Sequence, residues 1–483
     1  MMRTARRTLP IPLLALAVSL ALPGCMVGPD YHAPAVPELS RSPRQSGADA
    51  NDPAEVSPDA LATWWTILDD PVLTDLVQQA LEKNRDFQAA RARVRQARAQ
   101  WGIAIAGLLP QAGTSGLISK NRTSENVGMG PSVTDNLYHA EFDVTWEIDV
   151  FGGTRRGLQA AKADVQATRA SLENLWVSLA GEVAEAYVVL RTSQRQLQVT
   201  RSNLGVQEQT LELLHSRRKA GLVDDLAILQ ATYNVERTRS LLPTLRSHIE
   251  FSLSALAVLT GKTPGDVDEK LRAARSIPSP GKSIAIGIPA NALRRRPDIR
   301  QAERELAAQT ARIGQATADL YPRFYLLGSI GLESIDSSTF LKSGSRVRSW
   351  GPTVSWPIFR GGSIRQNIKA QTAVQEQLLA RYEQTVLLAV KEVKDALVRY
   401  AEQQNRREAL VKAVRAAREA VTVSRDKYNN GLVDFSNVLD AQMAQLELEE
   451  QLVLSEGEIS TSLVRLYKAL GGGWAALEGD PAP

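Results

Sequence analysis

Between Glu141 and Val150 the chain alternates without a break. Glu141, Asp143, Thr145, Glu147 and Asp149 fall on one side, and Phe142, Val144, Trp146, Ile148 and Val150 on the other. Period two places these sets on opposite faces of a β-strand, and a run of ten residues suits a tilted membrane-spanning strand. Trp350, Pro352, Val354 and Trp356 oppose Gly351, Thr353 and Ser355 in the same way. Preceding partner strands at residues 111–120 and 324–332 predict two hairpins, with polar loops at 121–136 and 333–345. Two readings follow: a soluble sheet with one wet face, or a sheet inserted in lipid. No adjacent segment offers an apolar helix face to cover Phe142 through Val150, which favours lipid. Four strands cannot close a barrel, and open edges are not tolerated in a bilayer, so insertion implies oligomerisation.

The helical signal is longer. Residues 363–430 contain 68 positions without Gly or Pro, and Val374, Leu378, Tyr382, Val386, Val390, Val393, Leu397 and Tyr400 recur in steps of three and four. Such a face predicts one continuous helix of roughly 100 Å at about 1.5 Å per residue. Residues 158–220 form the matching stretch, with Gly181 and Gly205 but no proline. Both run into Gly-Leu-Val-Asp, where Gly221 and Gly431 suit the left-handed residue after a helix and Asp224 and Asp434 suit the cap of the next. Each half is therefore expected to hold a long helical hairpin whose apolar seam needs a partner.

These elements occur twice in the same order. Trp146 and Trp356 lie 210 positions apart, as do Gly221 and Gly431, and Pro110 and Pro322 lie 212 apart. NRDFQAARARVRQARAQ resembles RPDIRQAERELAAQTAR. A period this long suggests a duplicated half rather than a short solenoid repeat. The expected organisation is a signal peptide at 1–24, a proline-rich tether or strap at 25–60, a first repeat at 61–261, a linker at 262–296, a second repeat at 297–473 and a tail at 474–483. Within the repeats, β-hairpins fall at about 111–150 and 324–357, and helical hairpins at about 158–260 and 363–470, with tips at 221–224 and 431–434.

Composition agrees: aromatics are only 5% while Ala, Leu, Gln, Glu and Arg dominate, a bias of long helices rather than of a large enzyme core. The formal charge of +4 includes Arg3, Arg6 and Arg7, and without them falls to +1. The pI of 9.1 is therefore poor support for a nucleic-acid partner. Those arginines precede an apolar run at 9–22, the pattern of a secretory signal too short to span a bilayer comfortably. His32, His139, His215 and His248 are scattered, and neither a zinc-helix motif nor paired cysteines occur. Gly261-Lys262-Thr263 has Leu256 where a phosphate loop requires glycine, so it reads as a helix stop. The basic clusters 91–98 and 294–296 read as solvated helix faces or linker. No enzyme, cofactor or metal is expected.

The single cysteine, Cys25, follows Leu22-Pro23-Gly24 and resembles a bacterial lipobox, with Pro23 where Ala or Ser is usual. Acylation is the expected fate; the alternative is cleavage elsewhere with Cys25 incidental. Met26 in place of Asp favours the outer membrane by the same resemblance. CMVGPDYHAPAVP, WEIDVFGG, WPIFRGG, RRPDIRQAE and the paired GLVD turns together resemble the TolC-like outer-membrane efflux factors, NodT-type lipoprotein branch, over essentially the whole mature chain.

That resemblance implies a mainly α protein with a small β part. A homotrimer would give four strands per protomer to one outer-membrane β-barrel, continued by a periplasmic α-helical barrel. It implies a passive conduit for drugs or other small molecules, served by a periplasmic adaptor and an inner-membrane transporter. Gly221, Leu222, Val223, Asp224, Gly431, Leu432, Val433 and Asp434 are then the adaptor-docking tips, each tip expected to expose its Leu and Val; the alternative is that these residues only stop and restart helices. Asp440 takes the inner carboxylate position of the periplasmic gate and Tyr428 an aromatic that holds the coils together. Asn437 replaces a second acidic position, and Gln230 stands where the first repeat would carry Asp440's counterpart. The alternative is a solvated carboxylate. The competing function is a trimeric coiled-coil scaffold or adhesin without transport, which would bury its seam completely where a conduit needs a wet lumen.

Overall fold

The computed structural model describes residues 26–34, 61–126, 132–279 and 292–473. The signal segment, Cys25, most of the tether, part of the linker and the tail lie outside them. After a short turn at Trp64–Leu68 come α1 (Pro71–Lys83), α2 (Arg85–Ala106), β1 (Gln111–Arg122), β2 (Thr134–Ile148), α3 (Gly153–Lys219) and α4 (Asp225–Leu259). The second series is α5 (Pro297–Ala318), β3 (Arg323–Ser334), β4 (Arg346–Ser355), α6 (Ser363–Asn429) and α7 (Phe435–Ala469). The duplication holds element by element: α3 and α6 each have 67 residues, α4 and α7 each 35, and β1 and β3 each 12. Both helix pairs start 210 positions apart and both strands 212 apart.

The chain divides into two compact units. One is built on Val94–Thr168 and Gln301–Tyr382 with the described part of Met1–Pro34; the other draws on Ala35–Arg93, Arg169–Arg300 and Glu383–Pro483. In the first, the strands form one antiparallel sheet in the order β1-β2-β3-β4. Pairings such as Thr114↔Phe142, Phe142↔Ile330 and Gly328↔Trp350 run without a bulge. The strands extend past the sequence-based limits at the loop ends, with β2 beginning at Thr134. At the other end β2 stops at Ile148, where Val150 N–H turns back to the Ile148 carbonyl at 2.8 Å.

The second unit holds the main hydrophobic core. Trp64, Leu73, Leu76 and Val77 pack among Tyr187 and Leu190 of α3, Leu253 and Leu256 of α4, and Val464 and Tyr467 of α7. Trp64 stacks on Tyr467 with ring centroids 5.7 Å apart. Asp70 starts α1 by accepting from Val72 N (2.8 Å) and Leu73 N (3.2 Å), ahead of Pro71 at the first helical position. The Tyr187 hydroxyl donates to the same carboxylate at 2.8 Å, so this cap is also a core contact. On α6 the expected seam is buried at Tyr382, Val386, Val393 and Tyr400.

Arg296 corrects the reading of 294–296 as solvated. Arg294 and Arg295 are exposed, but Arg296 is buried. It donates to the Ala469 carbonyl at the end of α7 (2.7 Å), to Asp298 (2.7 and 3.1 Å) and to Glu392 of α6 (2.7 Å). A guanidinium can leave water here because three acceptors replace it. Truncation to alanine is expected to cost on the order of 3 kcal/mol.

A second polar clasp joins α3, α6 and α7. Burial pushes the Glu449 carboxyl up, but hydrogen bonds from Asn203, Arg418 and Gln445 and the Arg418 charge outweigh it and hold the group below its ordinary value. Burial raises the neighbouring Glu450, against a hydrogen bond from Thr200. The depressed Glu449 contributes stability above its unfolded pKa, near about 4.3, and that contribution is lost as pH falls through the folded value. Glu450 acts oppositely, since its ionised form is disfavoured as pH rises through a raised pKa. Glu449→Gln should therefore lower the thermal midpoint at pH 7, by a loss of about 1.5–3 kcal/mol, and flatten the decline toward acid. Glu450→Gln should raise the midpoint at pH 7. Thermal unfolding followed from pH 7 to pH 4 checks both.

Candidate functional site

Because directly paired residues in an antiparallel sheet share a face, the unbroken register puts every even-numbered strand residue on one side and every odd-numbered one on the other. The even face carries Ile118, Phe142, Val144, Trp146, Ile148, Phe324, Leu326, Ile330, Trp350 and Val354; the odd face carries Asp135, Glu141, Asp143, Glu147 and Glu333. Large apolar side chains stand in solvent: Ile118 and Trp350 are each 79% exposed. From Tyr138 to Ile148 the even face of β2 covers about 33 Å of strand, or roughly 25 Å at a barrel tilt of ~40°. That is the height of the apolar band of an outer-membrane barrel. No described helix is long and apolar enough to cross a membrane.

The strand-to-helix junctions are built alike in both repeats. Trp146 Nε1 donates to the Leu108 carbonyl at 3.0 Å and Trp356 Nε1 to the Leu320 carbonyl at 3.1 Å. Residues 26–34 lie against the strand-to-helix junction of the first repeat. Val27 N–H reaches the Phe151 carbonyl at 3.1 Å, while buried Arg156 donates to the Val27 and Gly28 carbonyls and pairs with Asp30 at 2.9 Å. Gly28 is required there, since a Cβ would come within 2.4 Å of Gly314 Cα. The tyrosine hydroxyl of Tyr31 donates to Glu303 at 3.2 Å. The sequence signal for the strap was its prolines; Arg156 carried none beyond its place beside the Gly-Gly turn.

At the hairpin tips, Gly221 and Gly431 have φ of 70° and 72°. Leu222 N–H returns to the Arg217 carbonyl and Leu432 N–H to the Lys427 carbonyl, each at 2.9 Å, with Gly221 and Gly431 bonding one turn inside. These are paired left-handed helix stops. Asp224 caps α4 through Ala227 N at 3.1 Å. Asp434 precedes α7 in extended backbone but makes no side-chain cap bond, so only one of the two expected caps forms. Leu222 (72%) and Leu432 (71%) are exposed. Val223 and Val433 are half-buried, against the expectation of two exposed apolar residues per tip. Val223 packs on a small core of Leu214, Ala227, Ala231, Phe435, Val438 and Leu439.

Tyr428 also packs on that core. Its ring meets Phe435 edge-on at 5.0 Å and lies under the Arg217 guanidinium at 5.0 Å. Arg217 donates to Asn429 at 3.0 Å, which ties the two tips together. At the positions 210 earlier, Arg218 and Asp225 form a bidentate ion pair at 2.6 and 3.0 Å. One repeat thus closes its turn with charge and the other with aromatic rings, a substitution visible only when the copies are aligned. Asp440 is exposed, while Val438, Leu439 and Gln442 on the same helix are buried. Among the described residues nothing pairs with its carboxylate, and no group of three or more His, Cys, Asp or Glu is placed to hold a metal ion. An open cleft of about 1400 Å3 beside Arg195, Arg246, Arg275 and Arg407 is basic, with Arg407 near Glu456 at 3.4 Å.

A small antiparallel sheet with one lipid-compatible face, feeding two long helical hairpins, defines a channel-type protein of the bacterial envelope. The chain belongs to the outer membrane efflux protein family, whose model matches residues 76–262 and 288–472, one segment in each repeat. It is 31% identical over 474 residues to nodulation protein T of Rhizobium leguminosarum bv. viciae, covering 96% of this chain and 94% of the relative. It is 32% identical over 472 residues to the solvent efflux pump outer membrane protein SrpC of Pseudomonas putida, covering 96% and 98%. The solved outer-membrane channel OprN superposes with a TM-score of 0.88 at 35% identity, covering 93% of this chain and all (100%) of that one. The protein is an outer-membrane efflux channel component.

Since the Tyr428 contacts are made by its ring, Tyr428→Phe should leave the tip unchanged, whereas Tyr428→Ala should lose about 3 kcal/mol or more of local packing. Hydrogen exchange of amides around Phe435, faster in the alanine variant alone, is the check. Gly431→Ala meets no atom within 4 Å and should cost only about 1 kcal/mol, through its positive φ.

Proposed function

We propose that three copies of the chain join their sheets edge to edge in the outer membrane and continue as a ring of helical hairpins, forming a passive conduit for small molecules. The observation that carries this reading is the division of the sheet into an apolar even face and an acidic odd face, with the edges of β1 and β4 left unpaired among the described residues. In lipid those edges need partners, and three sheets of four strands give a closed barrel with the odd face toward a wet lumen. A fully packed coiled-coil scaffold has no use for such a sheet. Solute-dependent conductance in planar bilayers supports the conduit; its absence from a correctly inserted protein rejects it.

The conduit acts with an adaptor and an inner-membrane transporter, and Cys25 carries the acyl anchor. Strap residues 26–31 support this anchor site, because Arg156 holds the chain two and three residues beyond Cys25 against the strand-to-helix junction. Cys25→Ala should abolish incorporation of labelled fatty acid; equal labelling of variant and parent would reject the assignment.

The tips dock the adaptor through Leu222 and Leu432, with Gly221, Gly431, Asp224 and Asp434 shaping the turns and Val223 and Val433 supporting them. Gly431→Glu or Val433→Asp should abolish efflux and leave trimers intact, whereas wild-type drug tolerance in both would reject docking. Asp440, facing away from the tip core, forms the acidic ring of the gate, and Tyr428 braces it. Three like charges around one axis favour passing cations. Asp440→Ala should lower cation selectivity in single-channel recordings; wild-type selectivity would place the gate elsewhere.

A further inference from the structure

The even face of the sheet carries four charged residues, Lys120, Arg122, Arg346 and Arg348, and all are basic. The odd face carries the acidic residues Asp135, Glu141, Asp143, Glu147 and Glu333, with Arg323 and His139. Charge is therefore sorted by face as well as polarity. All four basic residues sit where β1 ends and β4 begins, the hairpin-loop end of the sheet, and all are exposed. Among the described residues the side chains of Lys120, Arg346 and Arg348 have no hydrogen-bond or ion-pair partner. Arg122 donates Nε to Ser132 Oγ at 2.9 Å and approaches Glu125 only to 3.8 Å, with both side chains about 70% exposed.

Their neighbours on the same face are Ile118, Phe142, Ile330 and Trp350, each at least half exposed. A lipid-facing apolar band topped by uncompensated cations is placed where the bilayer headgroups begin. There long basic side chains extend from the apolar layer to the phosphates. β1 and β4 are also the two edge strands. Closing the sheet with further copies sets β1 of one beside β4 of the next, bringing Lys120 and Arg122 close to Arg346 and Arg348 of the neighbouring copy. Four like charges at one seam repel unless an anion lies between them, and guanidinium groups take phosphate oxygens bidentately.

We propose that this basic band binds the phosphate groups of a phosphorylated lipid of the outer leaflet, one site at each seam between copies. The proposal rests on the reading of the sheet as membrane-inserted with its even face outward. The odd face, being acidic, would repel the same headgroups, and the lipid is thereby confined to one side of the sheet.

The test compares full-length wild type with Lys120→Gln/Arg348→Gln, purified in uncharged detergent. The probes are a bisphosphorylated glucosamine-based lipid, its dephosphorylated form and inorganic phosphate. Native mass spectrometry should show the wild type retaining the bisphosphorylated lipid, and the double variant retaining it about tenfold less, in keeping with a contribution of order one decade from the two charges. Dephosphorylated lipid should not distinguish them, and the charge-conserving pair Lys120→Arg/Arg348→Lys should behave as wild type. Equal retention by parent and double variant overturns the proposal, as does full retention of the dephosphorylated lipid or displacement by inorganic phosphate alone. Planar-bilayer recordings separate this from failure of the underlying reading. Lost lipid with unchanged ion selectivity supports the proposal, whereas altered selectivity with unchanged lipid puts the even face in the lumen and overturns both.

Discussion

The constraint on which the rest depends is the unsatisfied backbone at the edges of a four-stranded sheet. In water an open edge is a liability; in hydrocarbon each unpaired amide costs several kcal/mol. The β-part of this chain is too small to enclose anything by itself, so on the proposed reading its even face and its edges make one demand, that copies complete it. The duplication serves the same demand from within, since each repeat contributes one hairpin and one helical pair with the same lengths and offsets.

Much of this was legible in the sequence because the strongest signals are periodic. Alternation at 141–150 and the Gly- and Pro-free run at 363–430 report geometry directly, and the observed α6 ends within one residue of that run. The 210-residue offset was readable because tryptophans and glycines punctuate both halves. What escaped were contacts between segments distant in the chain. Arg296 looked like one of three solvated arginines, and only the meeting of Ala469, Asp298 and Glu392 explains why it alone is buried. Val223 looked exposed because a tip is exposed, yet α3, α4 and α7 assemble a small core beneath it. Alternation in β2 already put its acidic residues on one side, but the gathering of the basic residues of β1 and β4 on the opposite face required the register of all four strands.

The strap shows how a segment with little secondary structure is held in place. Val27, Gly28 and Asp30 give one arginine its acceptors, Gly28 closes on the helix at Gly314 because it has no side chain, and the absence of one at Gly314 leaves room for Arg156. The residues proposed to dock the adaptor lie on the most local part of the fold, a left-handed turn that any helical hairpin can use. The geometry of those turns is explained by helix stops.

The two tips also differ in what can loosen them. Arg218–Asp225 is an exposed ion pair, which dissolved salt screens within a Debye length of about 10 Å at 0.1 M. Tyr428–Phe435 is an apolar ring contact that salt leaves intact or strengthens by the exclusion of ions from apolar surface. Duplication followed by this one exchange has produced two turns of the same shape, of which dissolved salt weakens the charged contact and not the aromatic one.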